Sequence, residues 1–225
     1  MVPVRAATRR ARAARSATAP GGLRRLRDRT RPGLRVLFVG INPGIRSATI
    51  GHHYAGYSNR FWKLLRDSNL VPVLLTCEQD VRLPEWGYGL TNLVARPTRG
   101  IGDLTRDEYA AGRRTLLRKI NRFRPEVVAL VGVTLHHVLF PRKARDRSAA
   151  REPLRLSLQA GDLHGARVFV LPNPSGRNAN FSYAQILAAF RSLKDNLDRS
   201  PTKTEIKQRG SRSMTPTPRP KTPPR

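Results

Sequence analysis

The feature that most constrains the fold is a short apolar run, Val36–Val39, followed at once by the turn GINPG at residues 40–44. Four consecutive apolar residues before a turn with Gly and Pro predict a strand that is buried on both faces. Such strands belong to parallel sheets covered by helices. The amide of Asn42 is then expected at the carboxyl end of the strand, the edge at which ligands bind in open α/β sheets.

The rest of the chain alternates between strand and helix patterns. Val127–Val131 repeats the buried apolar run, and 89–95 and 166–171 are further predicted strands, with an edge strand or hairpin from 154. Capping-box spacing at Thr105 and Ser182 predicts helix starts, and Ser58 is expected to cap another helix. Residues 40–57 are expected to form a long loop and 70–88 to be irregular. The alternation predicts a mostly parallel sheet covered on both sides.

Charge and length divide the chain into three parts. Its 225 residues carry a net charge of +28, which favours a polyanionic partner such as nucleic acid, although solvated basic tails are the alternative. Residues 1–32 hold ten Arg and one Asp, and 199–225 hold eight Lys and Arg and one Glu, which leaves +12 for 33–198. We therefore expect a basic disordered arm at 1–32, a folded domain at 33–198 and a disordered Pro-rich tail at 199–225.

Cysteine and hydropathy patterns exclude several classes of protein. The single cysteine, Cys77, can form neither an intramolecular disulfide nor a four-cysteine metal or iron–sulfur centre. No run reaches the ~18 apolar residues of a membrane span. The N terminus is rich in Arg and Ala, a composition that suits either a DNA-contacting arm or an organellar transit peptide.

A second Asn-Pro turn, NPSGR at residues 173–177, follows the last predicted strand. Because the carboxyl ends of parallel strands share one sheet edge, GINPG and NPSGR are expected to face each other across a cleft. GINPG lacks the Lys-Ser/Thr pair of a P-loop and the glycine spacing of a dinucleotide-binding turn. By itself it could be only a tight turn with Asn42 in the left-handed conformation.

Four segments together resemble the mismatch-specific uracil/thymine DNA glycosylases, a branch of the uracil-DNA glycosylase superfamily. These segments are GINPG, GHHYAGYSNRFWKLL, GLTNLVARPT and LPNPSGRNANF, and the resemblance covers about residues 33–197. It implies a three-layer α/β/α sandwich with a short, mostly parallel sheet. It also implies hydrolysis of the bond between a mispaired uracil or thymine and deoxyribose, with no cofactor. Other branches carry Asp at the Asn42 position or four cysteines for an iron–sulfur cluster, and neither pattern fits.

The resemblance assigns the catalytic role to Asn42, whose side-chain oxygen would orient a water molecule. An amide does not take up a proton near neutral pH, so catalysis must come mostly from binding the departing pyrimidine anion. Backbone N–H groups near Ile41 and Tyr54, with Asn173 opposite, are the candidates for that binding. The ring of Tyr54 is also placed where the family stacks an aromatic residue on the extruded base.

Further positions match the family's base-binding residues. Asn92 would bind the base edge, where the uracil-type relatives carry Lys, and Thr98 would contact the base. Ser47 would lie near the 5-position of the base and limit the size of its substituent. The presence of Asn92 in place of that Lys suggests tolerance of 5-substituted pyrimidines. For each residue, ordinary turn or cap chemistry is the alternative.

DNA contacts are expected from four residues. Arg177 matches the residue that the family inserts into the vacated stack, where it could bind the widowed guanine or only a phosphate. His53 would touch phosphate or sugar; a metal site formed with His52 is disfavoured because no other ligands have suitable spacing. Ser175 and Gly176 are expected to bring backbone N–H groups to a phosphate at a helix start.

These residues predict a monofunctional, metal-free glycosylase that initiates base excision repair on G/U or G/T mismatches in double-stranded DNA. It is expected to be a monomer with no membrane contact, in the cytoplasm and nucleoid of a bacterium or the nucleus of a eukaryote. Two alternatives remain open: a non-catalytic basic α/β protein that binds nucleic acid, and a nucleotide-binding α/β enzyme.

Overall fold

The computed structural model describes residues 23, 25–141 and 155–199, which form a five-stranded sheet in the order β2-β1-β3-β5-β4. The strands are β1 (Val36–Gly40), β2 (Tyr88–Asn92), β3 (Val127–Val131), β4 (Leu158–Leu163) and β5 (Ala166–Leu171). The pairs β2–β1, β1–β3 and β3–β5 are parallel, and only the edge strand β4 is antiparallel to its neighbour. The predicted mostly parallel sheet is confirmed.

Five α-helices of the described ranges surround the sheet. They are α1 (Ile45–Ile50), α2 (Phe61–Asp67), α3 (Arg106–Phe123), α4 (Val133–Leu139) and α5 (Tyr183–Asp198), with 3-10 helices at Cys77–Trp86 and Ile101–Asp103. Both predicted capping boxes are present, because Thr105 accepts from the Glu108 amide and Ser182 accepts from the Gln185 amide, each at 3.2 Å. These boxes fix where α3 and α5 begin.

Alternation along β1 divides the core into two layers. Phe38 faces the layer that holds Phe61 of α2 and Phe190 of α5, whereas Leu37 and Val39 belong to the layer under α3 and α4. Successive side chains of a strand point to opposite faces, so helices cover both sides of the sheet. The Phe38 and Phe61 rings meet edge to face with centroids 5.4 Å apart. The α/β/α sandwich that the sequence predicted is therefore the observed fold.

Three local expectations were wrong. The predicted loop at 40–57 contains α1, a six-residue helix that ends at Gly51 in the left-handed conformation. Ser58 does not cap α2; instead Asn59 Oδ1 accepts the N–H of Phe61 at 3.0 Å. The segment 70–88, expected to be irregular, contains the long 3-10 helix with its own capping box at Thr76.

Part of the predicted N-terminal arm lies against the domain. Arg29 forms an antiparallel bridge with Leu90 of β2, and the Asp28 carboxylate binds Thr91 Oγ1 and Lys119 Nζ, each at 2.7 Å. Residues 1–22, 24 and 200–225 and the charged segment 142–154 lie outside the described residues, so the division into arm, domain and tail stays a prediction. Within the described ranges, no helix is long and apolar enough to cross a membrane.

Candidate active site

The side chain of Asn42 is fixed through its nitrogen. Nδ2 donates to Thr98 Oγ1 at 2.7 Å and to the backbone carbonyls of Arg96 and Pro43 at 3.1 and 3.2 Å. Carbonyl oxygens can only accept, so these contacts determine which side-chain atom is nitrogen. The other atom, Oδ1, has no hydrogen-bond donor within 25–141 and 155–199 and is available to a water molecule. Asn42 is not in the left-handed conformation that the tight-turn alternative expected.

Thr98 holds Asn42 in this orientation. Its hydroxyl accepts the Asn42 amide and donates to the carbonyl of Gly100 at 2.6 Å, while its backbone N–H donates to Pro43 at 3.1 Å. The side chain is buried and its only hydroxyl hydrogen is in use. The structure thus gives Thr98 a positioning role, and the expected contact with the base stays a prediction.

A salt bridge fixes the loop that supplies these acceptors. The guanidinium of Arg96 binds both carboxylate oxygens of Glu108 at 2.5 and 2.8 Å and the carbonyl of Asp103 at 2.6 Å. The hydrogen bond from Arg96, aided by the backbone of Thr105, lowers the pKa of Glu108 to about 2. Sequence reasoning missed this pair because it assigned Glu108 only to the capping box, and the Arg96 contact spans 12 residues.

Gly40, at the end of β1, brings Asn92 and Tyr54 together. A Cβ atom at position 40 would lie 2.6 Å from Asn92 Oδ1 and 3.4 Å from the Tyr54 hydroxyl. Only glycine therefore leaves space between these two polar groups. The Tyr54 hydroxyl is buried without a hydrogen-bond partner in the described part of the chain, and burial raises its pKa. A buried hydroxyl of this kind usually binds water or a ligand.

The Tyr54 ring has one face covered. It stacks on Phe61 with centroids 3.9 Å apart and planes 16° from parallel, and its backbone is left-handed with φ 52°. Stacking on an extruded base is left to the opposite face and stays a prediction. The backbone N–H groups of Ile41 and Tyr54 have no acceptor in the ranges that the structure describes. Both donors are thus free for the anion-binding role that the sequence suggested.

The two Asn-Pro turns lie at one edge of the sheet, as expected. Only β3 separates β1 from β5, so the strands that lead into the turns are about 10 Å apart at the usual strand spacing. NPSGR also packs on the segment after Tyr54, since the Arg60 N–H donates to Pro174 at 3.0 Å. Asn173 Oδ1 accepts the Ser175 N–H at 3.0 Å, and within 25–141 and 155–199 the Asn173 amide nitrogen has no acceptor, so it is available to a ligand.

Comparison with known proteins shows the family of this chain. The family model of the uracil DNA glycosylase superfamily matches residues 28–195. This chain belongs to the uracil DNA glycosylase superfamily. Membership supports DNA glycosylase activity, a hydrolase function in DNA repair, with DNA as the partner.

One similar solved structure is the solution NMR structure of a uracil DNA glycosylase candidate from Methanosarcina acetivorans. It is 16% identical in sequence, with a TM-score of 0.47, and the match covers 76% of this chain and 98% of that one. The superfamily match begins at residue 28, so it includes Asp28 and Arg29, which contact β2 in the structure.

His53 of this superfamily member is not placed to touch DNA. The side chain is 2% exposed, its ring Nε2 lies 3.0 Å from the Arg27 carbonyl, and its backbone N–H donates to Asp80 at 3.0 Å. Burial lowers the pKa of His53, which favours the neutral ring. The expected contact with phosphate or sugar would require the segment at Arg27 to move away. His53 instead fixes the residue before Tyr54.

Ser47 is not tested by the structure, whereas the NPSGR turn differs from expectation. Ser47 is buried on α1, and its hydroxyl accepts the Ala55 N–H at 3.1 Å, so its proximity to a base stays a prediction. The proposed phosphate site at a helix start is wrong in its geometry, because the helix starts only at Tyr183 and the Ser175 N–H is already bound to Asn173. Gly176 and Arg177 are exposed, and their contacts with DNA stay predictions.

The two adjacent histidines, His52 and His53, do not belong to a cluster of metal ligands in the described part of the chain. Among the residues that the structure describes, no three or more His, Cys, Asp or Glu side chains are grouped as they would be around a metal ion. His52 is instead paired with the buried carboxylate of Asp80, with Nδ1 and Oδ1 3.1 Å apart, and Arg29 Nε binds the same oxygen at 2.9 Å. Asp80 thus ties the N-terminal segment to the loop that carries Tyr54.

Proposed function

We propose that this protein is a monofunctional DNA glycosylase that removes uracil paired with guanine in double-stranded DNA. Thymine and 5-substituted pyrimidines opposite guanine are the next substrates that the site suggests. The observation that carries the proposal is the locked amide of Asn42, whose free oxygen lies at the same sheet edge as Asn92, Tyr54 and the NPSGR turn.

The reaction begins with extrusion of the nucleotide. A base inside a duplex is out of reach, and extrusion costs a few kcal/mol, less for a mispaired base. This difference by itself favours G·U and G·T sites over normal pairs. Arg177, exposed on the NPSGR turn, would occupy the vacated stack and bind the guanine that has lost its partner. The basic surface of the domain would bind the phosphates around it.

Hydrolysis then needs an aligned water molecule and a stabilised leaving group. Asn42 Oδ1 accepts a hydrogen bond from the water, whose oxygen attacks C1′ of the deoxyribose. The bond from C1′ to the pyrimidine N1 breaks, and its electron pair leaves with the base as an anion. The water gives up a proton to solvent, and the base anion takes up a proton on release. The products are a free base and an abasic site in an uncut strand.

Most of the acceleration is assigned to binding of the pyrimidine anion. The free N–H groups of Ile41 and Tyr54 are the proposed donors, with the amide nitrogen of Asn173 opposite. One such donor is typically worth about 2.7–4 kcal/mol of barrier. Asn42 does not remove a proton, so we expect slow turnover, slowed further by tight binding to the abasic product.

Asn92 is the proposed reader of the base edge. Its amide, beside Gly40, can both donate and accept, so it can bind the O4 or N3–H of uracil or thymine. We propose that the protein acts as a monomer on duplex DNA, in whichever compartment holds the genome.

A base-release panel tests this function. Duplexes with G·U, G·T and A·U pairs, and single-stranded uracil DNA, are incubated with stoichiometric enzyme and then cleaved with alkali at abasic sites. We expect fastest release from G·U and slower or no release from A·U. Uncut G·U duplex that is nevertheless tightly bound would favour a non-catalytic nucleic-acid-binding protein instead. Equal release from A·U and G·U would contradict the mismatch preference.

A further inference from the structure

Tyr57 is an aromatic side chain that another residue holds in solvent. Its exposed fraction is 90%, the largest among the exposed large hydrophobic side chains of the described chain. The guanidinium carbon of Arg46 lies 3.8 Å from the Tyr57 ring centroid, and Arg46 Nη1 donates to the Tyr57 hydroxyl at 2.7 Å. Arg46 Nε also donates to the Ala55 carbonyl at 2.7 Å. Two contacts with Arg46 thus order a ring that buries almost no surface, and the third contact fixes Arg46 itself.

The position of Tyr57 relates it to both sides of the candidate site. Tyr54, three residues before it, approaches Gly40, and Ser58, the next residue, packs on the NPSGR turn. The contact with the turn is close, since a Cβ atom on Gly176 would lie 2.5 Å from Ser58 Cβ. Tyr57 therefore projects from the short segment between the proposed base pocket and the turn that carries Arg177.

Isolated exposed apolar side chains are common and need no explanation. Tyr57 differs because Arg46 restricts the ring, and ordering a side chain before binding lowers the entropy cost of the contact. Arg46 covers one face of the ring, and the 90% exposure leaves the other face open. An aromatic face beside a basic group suits a nucleobase, which stacks with little dependence on its identity.

We propose that Tyr57 is a DNA-stacking residue and that Arg46 holds its ring for this contact. The partner is a base of the damaged strand next to the extruded nucleotide, whose stack has been opened by the extrusion. This inference rests on the proposed glycosylase function, because only an extruded nucleotide leaves such a base with an uncovered face. It adds a binding residue to the site and assigns Tyr57 no part in the chemical step.

The test measures binding to a duplex that cannot react. A tetrahydrofuran residue opposite guanine imitates the abasic product, and its Kd is measured for wild type, Tyr57→Ala, Tyr57→Phe and Arg46→Gln. Stacking on one base predicts a Kd for Tyr57→Ala that is about 5- to 150-fold weaker. Tyr57→Phe, which keeps the ring, should bind almost as tightly as wild type, and Arg46→Gln should lie between. Leu74→Ala, at a side chain that is 57% exposed, is the matched surface control.

Salt dependence separates stacking from a phosphate contact. Loss of stacking leaves the slope of log K against log salt unchanged, whereas loss of one phosphate contact makes it shallower by about 0.9. Equal Kd values for Tyr57→Ala and wild type would overturn the inference, as would a Phe variant as weak as the Ala variant. A wild type that binds the tetrahydrofuran duplex but releases no uracil from G·U would instead contradict the proposed function, which is a separate readout.

Discussion

Replacing Asn42 with Asp should slow base release, although a carboxylate is a stronger base than an amide and other branches of the superfamily carry Asp there. The structure gives the reason. Asn42 Nδ2 donates to the carbonyls of Arg96 and Pro43 at 3.1 and 3.2 Å and to Thr98 at 2.7 Å. A carboxylate would place an oxygen against two carbonyl oxygens, and neither side could donate. Loss of two hydrogen bonds of about 0.5–1.5 kcal/mol each predicts a total of about 1–3 kcal/mol.

If that energy is lost in the transition state, single-turnover release from G·U duplex slows by about 5- to 150-fold. The carbonyl neighbours should raise the pKa of the introduced carboxyl, because they disfavour its charged form. On protonation it regains an O–H donor for one carbonyl, so the deficit relative to wild type should narrow as pH falls. Thr98→Val is the control, because it removes one of the three acceptors of the Asn42 amide and should slow base release less than Asn42→Asp does. Two results would refute this role for the orientation of the Asn42 amide. One is a rate of base release by Asn42→Asp that equals the wild-type rate at pH 7.5, and the other is a difference between the two rates that grows as pH falls.

Three further substitutions test the surroundings of the site. Gly40→Ala would place a Cβ atom 2.6 Å from Asn92 Oδ1, so we expect weaker base release with an unchanged midpoint of thermal unfolding. Glu108→Gln keeps the helix cap but loses the charge that is paired with Arg96. The pKa of Glu108 in the folded protein is lowered to about 2, so its charge stabilises the fold at neutral pH. Urea unfolding of the variant should therefore show a loss of about 1–2 kcal/mol at neutral pH, and this loss should vanish as pH falls from 4.5 towards 2. Because the pKa of His53 is lowered in the folded protein, the unfolded chain binds a proton at a higher pH than the folded chain does. The stability of the wild type should therefore fall below pH 6.5. Between pH 7 and pH 5, the Tm of His53→Gln should fall less than the Tm of the wild type. Equal pH dependence in variant and wild type would contradict either pH prediction.

Much of the fold could be predicted because its signals are local. The run Val127–Val131 has no polar residue and is buried along its whole length, which is why an apolar pattern identified it as a central strand. The capping boxes at Thr105 and Ser182 gave the helix starts because each hydrogen bond joins residues three positions apart. The helix α1 was missed because six residues between Gly44 and Gly51 carry little helical periodicity.

The site was predicted less completely because its contacts join distant segments. Asn42 was identified from its turn, but the amide orientation depends on Thr98, 56 residues later. His53 was expected on the DNA surface because nothing near it in sequence shows that Asp80, 27 residues later, and Arg27 would bury it. The open space at Gly40 likewise depends on Asn92, which reaches it through the pairing of β1 with β2.

We propose that the free oxygen of Asn42 directs water onto a sugar whose pyrimidine is held at this sheet edge. The decisive measurement is uracil release from a G·U duplex under single-turnover conditions, with wild type and Asn42→Ala at equal saturation of DNA. We expect Asn42→Ala to bind the tetrahydrofuran duplex as tightly as wild type and to release no measurable uracil on the wild-type timescale. Full release by Asn42→Ala would contradict the claim.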